Sequence, residues 1–341
     1  MSKYVGLDVS MEETSVCVLD AGGSIVWEGK VESEPAAIEK MLRRRAPHAV
    51  KVGLETGPTS TWLWHELRRL DVPVVCIDAR HAQAALSMRV NKTDRNDAAG
   101  LAQLMRMGWY REVQVKQLAA HGDGALLASR ALLVRQRCEI ENQIRGLLKN
   151  FGLRSRATTG RAFEQNVQAL TRHHGLLKDV VTPLLAVWLA LRQQTAVLTY
   201  KVKIRTMSSA ACRRLLTMPG VGPMTALAFS AAIDDPARFR SSSSVGAYLG
   251  LTPRRYASGE VDRMGRISRC GDALTRSYLF EAANVMLSRS RGTNPLKSWA
   301  AKLAKRAGFK KARVALARKM AVTLHRMWVD GTDFGANAAN A

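Results

Sequence analysis

The sequence predicts an N-terminal α/β domain with a mixed sheet, then a helical linker, then a mostly helical C-terminal domain. Three observations predict this order. Short β-prone runs separated by turn residues occupy the first third. Apolar residues recur every seven positions near the middle. Basic amphipathic runs dominate the last third. We place the domains at 1–110, 111–205 and 206–330, and expect the Ala- and Asn-rich tail 331–341 to be disordered.

The first domain alternates strand-like and helix-like segments. We predict three strands in a meander, the second and third joined by the turn Asp20-Ala-Gly-Gly23, and then alternating helices and strands. Such an order makes a mixed sheet with helices on its faces. The predicted strands cover 4–9, 15–19, 25–31, 50–54 and 74–77, and the predicted helices cover 35–45, 59–70 and 94–107.

Charge is distributed unevenly along the 341 residues, which are enough for two or three domains. The net charge is +24, yet residues 1–110 hold 14 basic and 14 acidic side chains, so the excess lies beyond them. This asymmetry indicates a nucleic-acid or anionic-membrane partner. No apolar run approaches the roughly 20 residues that span a bilayer, and the N-terminus leads into a strand instead of a signal peptide, which excludes the membrane.

The cysteines are scattered and odd in number, without a C-x-x-C pair. We interpret them as reduced thiols of a cytoplasmic protein, forming neither a disulfide framework nor a zinc site. They are Cys17, Cys76, Cys138, Cys212 and Cys270.

Two acids open the last helix of the first domain. Asp94 and Asp97 are three residues apart, so their Cβ atoms lie roughly 5–6 Å from each other on the face that carries Leu101. An apolar environment penalises unpaired carboxylates, and a divalent cation would compensate for them. The alternative is that Thr93 or Asp94 only caps the helix.

Two more acids occur at strands. Asp8 interrupts the apolar first strand, and Glu55 ends the fourth. If those strands are neighbours, both carboxylates come close to each other, and the helix of Asp94 and Asp97 can pack over them. Four converging carboxylates can bind two Mg²⁺ ions about 4 Å apart and catalyse in-line phosphoryl displacement.

These four residues resemble the acidic tetrad of DEDD-type insertion-sequence transposases, whose N-terminal domain is RuvC-like with a ribonuclease H fold. The matching motifs are Val5-Gly-Leu-Asp-Val9, Leu54-Glu-Thr-Gly57 and Lys92-Thr-Asp-Arg-Asn-Asp-Ala98. The first motif alone is weak, because actin-like ATPases begin with a similar strand. The four acids together are specific.

The middle segment, residues 111–205, begins with a run that predicts a helix of coiled-coil character. A second amphipathic run could fold back as its antiparallel mate, and whether the pairing is intramolecular or joins two subunits stays open. The basic segment 152–160 between the two runs is interpreted as a loop. The seam residues are Leu126, Leu133, Ile140, Ile144, Leu147 and Phe151 in the first run, and Leu184, Trp188, Leu191, Thr195 and Leu198 in the second.

The segment from 215 to 226 resembles a helix-hairpin-helix. Gly220 and Gly222 would let backbone amides approach a phosphate at the start of the next helix. An ordinary glycine-rich connection is the alternative, and the positive charge of this region favours contact with nucleic acid.

Ser258 follows Arg254 and Arg255 in the stretch Gly250-Leu-Thr-Pro-Arg-Arg-Tyr-Ala-Ser-Gly259. Guanidinium groups match phosphate geometry, and a serine beside them could attack a phosphodiester, although from residues alone a plain turn serine is the simpler interpretation. The resemblance implies the nucleophile, because the family carries its reactive serine in the context Pro-Arg-Arg-Tyr-x-Ser-Gly. Ser241–Ser244 are interpreted as a polar loop.

Further basic residues predict a surface that binds the nucleic-acid backbone. One set repeats every three residues after Ser258, and another belongs to residues 302–326, which contain no acid and carry an apolar stripe through Val314, Ala317 and Leu324. The candidate contacts are Arg263, Arg266, Arg269, Lys310, Lys311 and Arg313.

The resemblance implies a composite site in which the Asp8, Glu55, Asp94 and Asp97 cluster with Mg²⁺ joins Ser258 of another subunit. Serine attack would leave a 5′-phosphoserine and a free 3′-hydroxyl. The family also implies DNA as donor and target, a structured guide RNA, a homo-oligomer up to a tetramer, and a bacterial cytoplasm with nucleoid association. Three alternatives are a RuvC-like junction endonuclease that uses water, an actin-like ATPase, and a non-catalytic nucleic-acid-binding protein.

Overall fold

The computed structural model describes residues 2–87, 93–155 and 160–335. The chain divides into two compact units, Met1–Leu118 and Ala119–Ala341. Lys92 of the acidic motif and residues 336–341 of the tail lie outside the described residues. In the part of the chain that the structure describes, none of the five cysteines forms a disulfide bond. Within the described ranges, none of the helices is long and apolar enough to cross a membrane.

Unit 1 contains one five-stranded mixed sheet of order β3-β2-β1-β4-β5. Strands β1, β2 and β3 form the predicted antiparallel meander, whereas β1, β4 and β5 are parallel. The first strand therefore lies beside the fourth, and this pairing brings Asp8 and Glu55 close together. The strands are β1 Lys3–Val9, β2 Glu13–Leu19, β3 Ile25–Glu32, β4 Ala49–Glu55 and β5 Val74–Ile77.

Helices cover both faces of this sheet. On one face of the sheet, the odd-numbered residues of β1, such as Val5 and Leu7, pack with Ile38 of α1 and Leu63 of α2. The opposite face carries Tyr4 and packs against α4. The helices are α1 Pro35–Arg45, α2 Ser60–Arg69, α3 Ala79–Leu86, which sequence patterns do not predict, and α4 Asp94–Met107.

Unit 2 begins with two long antiparallel helices, α5 Leu118–Asn150 and α7 Gly175–Ser208, with α6 Gly160–Thr171 between them. Arg130 of α5 donates to the Thr199 hydroxyl of α7 at 2.7 Å, and Arg205 of α7 donates to Asp123 of α5 at 2.8 Å. Helix α6 is an addition to the predicted pair. Its Phe163 packs on Trp188, so three helices, and not two, build this small core. Phe151, a predicted seam residue, is 47% exposed.

The rest of unit 2 is mostly helical around a single large core. It also contains a two-stranded hairpin that sequence patterns do not predict. A short 3₁₀ turn covers Pro236–Arg238. The remaining elements are α8 Ala210–Leu215, α9 Pro223–Ile233, α10 Ser244–Tyr248, β6 Pro253–Ser258, β7 Val261–Ile267, α11 Ala273–Ser288, α12 Pro295–Ala307 and α13 Phe309–Asp330.

Gly308 interrupts the basic run of residues 302–326. Its φ of 87° is suited to glycine, so the run forms two helices, α12 and α13, which pack against each other. The buried face of α13 includes Ala317 and Leu324, as predicted. Val314, predicted for the same stripe, is only half-buried and lines a surface groove instead.

A buried histidine, His325, connects α13 by hydrogen bonds to the segment before α10. Nε2 of His325 lies 3.0 Å from the Pro236 carbonyl oxygen, which can only accept, so Nε2 carries the proton. Nδ1 then accepts from the Ser242 hydroxyl at 2.9 Å. The ring also meets Phe239 edge-on. Burial lowers the pKa of His325 below its ordinary value, despite the opposing influences of the Pro236 hydrogen bond and Asp330.

We expect this histidine to make unit 2 less stable in acid. Its pKa is lower in the folded than in the unfolded chain, so its stabilising contribution is present above an ordinary histidine pKa of about 6.5 and is lost as the pH falls through the folded value. Urea midpoints at pH 7.5 and 5.5 measure the effect. His325→Gln should remove part of the difference, whereas the exposed His173→Gln should retain it. An unchanged pH dependence in His325→Gln would contradict this assignment.

Candidate active site and nucleic-acid interface

Two of the four predicted acids lie side by side at the carboxyl ends of neighbouring parallel strands. The register pairs Leu7 of β1 with Leu54 of β4, and Asp8 and Glu55 are the next residue of each strand. Leu7 and Leu54 point into the α1 and α2 side of the sheet. Because side chains alternate along a strand, Asp8 and Glu55 point to the α4 side. Both carboxylates are half-buried.

Two glycines let α4 lie directly on that face. A Cβ on Gly6 would come within 2.1 Å of the Ala98 carbonyl oxygen, and one on Gly53 within 2.6 Å of the Met105 side chain. Gly6 and Gly53 precede Asp8 and Glu55 by two residues, so they share their face. The helix therefore crosses the sheet in direct backbone contact just below the two carboxylates.

The direction of α4 places its first turn toward these carboxylates. At its C-terminal end Gln103 donates to the Gly23 carbonyl oxygen at 3.3 Å, in the turn beside the amino end of β1. At its N-terminal end Arg95 forms an ion pair with Glu28 of β3. Helix α4 is thus antiparallel to β1, and Asp94 and Asp97 lie at the end nearer Asp8.

The helix cap is made by Thr93. Its hydroxyl accepts from the Asn96 backbone N–H at 3.2 Å, so neither Asp94 nor Asp97 is used for capping. Asp94 is exposed and Asp97 is half-buried. The position and the oxygen chemistry of the four acids suit a hard divalent cation. Their side chains are not gathered into a ligand shell, since within 2–87, 93–155 and 160–335 no three His, Cys, Asp or Glu residues lie close enough to hold a metal ion.

A fifth acid, Glu112, extends the row and is not among the acids predicted from the sequence. Glu112 pairs with Ile77 of β5, and Ile77 pairs with Glu55, so these residues lie in one line across the sheet. Burial, together with the charges of Glu112 and Glu55, raises the pKa of the Cys76 thiol to about 12. Glu112 carries no motif, so only the pairing of residues 111–113 with β5 could reveal its position.

Ser258 lies at the exposed tip of the β6–β7 hairpin. It pairs with Val261 across the turn Gly259-Glu260, where Gly259 has φ 55°. Tyr256 pairs with Arg263, so both belong with Ser258 on one face of the hairpin. The side chains of Tyr256, Ser258 and Arg263 are all exposed. A reacting phosphate could therefore reach the serine hydroxyl without rearrangement of the hairpin.

The two arginines before Ser258 have separate surroundings. Arg255 is on the opposite face, where it forms two hydrogen bonds of 2.8 Å to Asp262. Arg255 lowers the pKa of the Asp262 carboxyl through these bonds. Arg254 donates to the Ser268 carbonyl oxygen at 3.3 Å, near the base of the hairpin. Arg263 is thus the arginine that the register sets beside the serine face.

Four of the other candidate basic residues share one groove between the base of the hairpin, α12 and α13. Arg266 and Arg269 line it from the hairpin side, and Lys310 and Lys311 from α13. Arg313 does not line it. Its guanidinium group packs over Phe280 and Phe309 and donates to Asn284 at 3.2 Å, which gives Arg313 a role in packing α13 on α11.

Comparison with known proteins shows what this chain is similar to. A family model described as Transposase IS116/IS110/IS902 family matches residues 212–300, which include the hairpin. A DEDD transposase model of the IS110 group matches residues 5–152, which include all four acids. The chain belongs to the IS110 group of DEDD transposases. It is a DNA transposase, and its five-stranded mixed sheet fits a ribonuclease H-like DEDD domain followed by a helical C-terminal part.

Relatives of this transposase match along most of their length. The chain is 28% identical over 339 residues to the transposase for insertion sequence element IS1111A of Coxiella burnetii, covering 94% of this chain and 87% of that protein. It is also 28% identical over 328 residues to a probable family 20 transposase of Pseudomonas aeruginosa, covering 93% and 94%.

The two glycines of the predicted helix-hairpin-helix differ in their surroundings. Gly220 has φ 86°, and a Cβ there would lie 2.4 Å from the Ala282 carbonyl oxygen, so this glycine allows α11 to pack closely. Gly222 is the N-cap of α9 and faces open space. In the transposase, Gly220 therefore serves the core, and only Gly222 leaves room for a ligand beside the helix start.

We expect Gly6→Ala to destabilise unit 1 and displace α4. The new Cβ would overlap the backbone of Ala98 and also lie 2.4 Å from the Ala102 nitrogen, and backbone cannot move aside as a flexible side chain can. Overpacking of this kind costs about 1–3 kcal/mol or more. Calorimetry should show a lower unfolding temperature.

Gly146→Ala is the matched control. It makes the same substitution inside helix α5, where nothing lies within 4 Å of the new Cβ, and should be neutral or stabilising by up to about 1 kcal/mol. Equal effects of the two substitutions would contradict the close contact between α4 and β1.

Proposed function

We propose that this transposase cuts and rejoins DNA through a covalent serine intermediate, with Ser258 as the nucleophile. The observation that carries the proposal is the position of Ser258 at the exposed tip of a basic hairpin, on one face with Arg263. A guanidinium group beside a reacting phosphate stabilises charge that develops on its oxygens. The Ser258 context also matches the family motif in which the resemblance implies the reactive serine.

In the proposed step the serine oxygen forms a bond to phosphorus while the bond from phosphorus to the 3′ oxygen breaks. The serine proton passes to a base, and the departing 3′ oxygen ends as a hydroxyl. The product is a 5′-phosphoserine, in which a phosphate ester bond to serine replaces the broken ester bond to the 3′ oxygen. Reversal by another 3′-hydroxyl rejoins the strands without an external energy source.

The carboxylates of Asp8, Glu55, Asp94 and Asp97 would hold Mg²⁺, two ions in the full arrangement. Bound Mg²⁺ would supply Lewis-acid polarisation of phosphate oxygens and activation of an attacking hydroxyl. The support in this chain is positional: Asp8 and Glu55 end adjacent strands on the face that α4 covers, and Asp97 lies at the near end of α4. Membership of a DEDD family supports the same metal chemistry.

The remaining parts of the proposal concern domains and partners. We propose that 1–110 is the RuvC-like catalytic domain, 111–205 a coiled-coil linker, 206–330 the serine domain with a helix-hairpin-helix around Gly222, and 331–341 a disordered tail. DNA as donor and target, a structured guide RNA, and a dimer or tetramer that joins the acids of one subunit to the Ser258 of another follow from the family resemblance. The excess positive charge after residue 110 supports the nucleic-acid partners.

The experiment is a search for the adduct. The protein is incubated with Mg²⁺ and end-labelled DNA that carries the ends of its element, together with RNA that copurifies with it. Denaturing electrophoresis then detects any DNA joined to protein, and peptide mapping locates the bond. Strand cleavage that yields no protein-linked DNA would instead favour the endonuclease that uses water.

A further inference from the structure

The groove between the base of the hairpin, α12 and α13 is a large feature of unit 2 that the proposed function does not explain. Its volume is about 1300 Å³. This exceeds the roughly 300–1,000 Å³ of pockets that enclose a small molecule, so the groove suits an extended ligand. Its lining residue nearest the hairpin tip, Met264, pairs with Arg255, which is three residues from Ser258, or about 10 Å along a strand, and lies on the opposite face of the hairpin.

The charge of the groove indicates that its ligand is a polyanion. Its lining includes six cationic side chains and no acid, namely Arg266, Arg269, Lys310, Lys311, Arg318 and Lys319. Lys310 and Lys311 also occupy the first turn of α13, where the helix dipole disfavours positive charge. The sequence thus places two cations at a position that is unfavourable to them in the free protein, and a bound polyanion would compensate for this.

The floor of the groove is apolar and aromatic. The charged sugar-phosphate backbone of a duplex would not use such a surface. Trp299, Val314 and Ile267 contribute to it, together with Met264, which is 68% exposed. The Lys319 ammonium lies 4.0 Å from the centre of the Trp299 ring, so a cation and an aromatic surface are in direct contact in the lining. Nucleobases are flat and apolar on their faces, and proteins that bind single strands combine a basic groove with such surfaces.

We propose that this groove binds an unpaired DNA strand, with its phosphates on the lysines and arginines and its bases on the floor of Trp299, Met264 and Val314. The proposal rests on the transposase function and adds the form of the DNA. A strand that has been cut must leave its complement before it can be joined elsewhere, so unpaired DNA is present in such a reaction. DNA is chosen over RNA because DNA is the substrate of a transposase.

The test compares binding of full-length protein to three labelled probes by fluorescence anisotropy: a short single-stranded DNA, the same strand in a duplex, and single-stranded RNA of the same sequence. Lys310→Gln with Lys311→Gln should weaken binding of the single-stranded DNA on the order of 10-fold. It should also lower the salt slope by about 0.7 for each phosphate that is no longer neutralised. The control is Lys302→Gln with Lys305→Gln, which removes the same charge from exposed positions of α12 outside the lining.

A second pair of variants tests the floor without changing charge. Met264→Gln with Val314→Thr should weaken single-strand binding on the order of 10-fold and leave duplex binding within about twofold, because stacking and apolar contact need exposed bases. Met11→Gln, at a 78% exposed position of unit 1, is the control. Circular dichroism and melting curves of each variant show whether it folds.

Equal weakening by the two lysine pairs, or floor variants that weaken duplex as much as single-strand binding, would overturn the proposal in favour of diffuse backbone contact. Preference for the RNA probe would overturn the choice of DNA. Ser258→Ala should bind the single strand like the wild-type protein. In the wild-type protein, groove binding without any adduct would therefore count against the serine mechanism alone, and an adduct on Ser258 without groove binding would count against the groove alone.

Discussion

Ser258→Ala is expected to bind DNA like the wild-type protein and to form no covalent adduct. Removing an enzymatic nucleophile costs roughly 10⁴-fold or more in rate, which would bring adduct formation below detection. Binding should survive because Ser258 is exposed at a hairpin tip and the groove with its cations lies at the base. The measurement is denaturing electrophoresis beside anisotropy on the same preparations.

Ser243→Ala is the control for this prediction. Ser243 is an exposed serine whose hydroxyl bonds to the Ser241 hydroxyl, at 2.6 Å, so its loss should leave the adduct intact. Ser242 is unsuitable, because its hydroxyl donates to His325. An adduct that maps to Tyr256, which is 55% exposed on the same face as Ser258, would refute the assignment of the nucleophile.

Asp97→Asn is expected to abolish Mg²⁺-dependent cleavage and adduct formation while DNA binding persists. The substitution keeps the shape of the side chain and removes one negative ligand. Loss of a partner that only orients a metal ligand costs about 10–100-fold, so loss of a ligand should cost at least about 100-fold. A readout independent of activity is the rise in melting temperature on adding Mg²⁺, which should disappear in the variant.

Asp71→Asn makes the same chemical change at an exposed position with φ 58°, a conformation that asparagine tolerates. Its cleavage and its response to Mg²⁺ should match those of the wild-type protein. If Asp97→Asn also retains both, the pair of acids at the start of α4 has only a structural role, and the proposed metal site would have to be built without it.

The sequence alone determined every element of unit 1 except α3, and the acids from which its candidate site is built. Strands β1 to β5 and helices α1, α2 and α4 follow from short-range patterns of alternation, turn residues and caps, which depend on near neighbours. Thr93 and Asp97 could be placed at the start of α4 for the same reason. The adjacency of Asp8 and Glu55 followed once the first strand was set beside the fourth.

Tertiary structure alone decided which residues come together across long stretches of chain. Gly6 belongs to a strand motif, yet its missing Cβ lets α4 approach, and Glu112 joins the acidic row only because residues 111–113 pair with β5. Arg313 belongs to the same basic run as Lys310 and Lys311 but stacks on Phe280 and Phe309 instead of lining the groove. Neighbouring residues of a helix point in different directions, so composition predicts the charge of the run but not which side chains face the groove.

The hairpin that carries Ser258 could not be predicted from sequence patterns, for a related reason. Its strands are exposed on both faces, so they lack the alternation of apolar and polar residues that predicts a strand. Pairing of β6 with β7 supplies the backbone hydrogen bonds that such a segment needs, and it decides that Arg263, and not Arg255, shares the face of the serine. Residue identity indicated the chemistry, and only strand pairing decided its geometry.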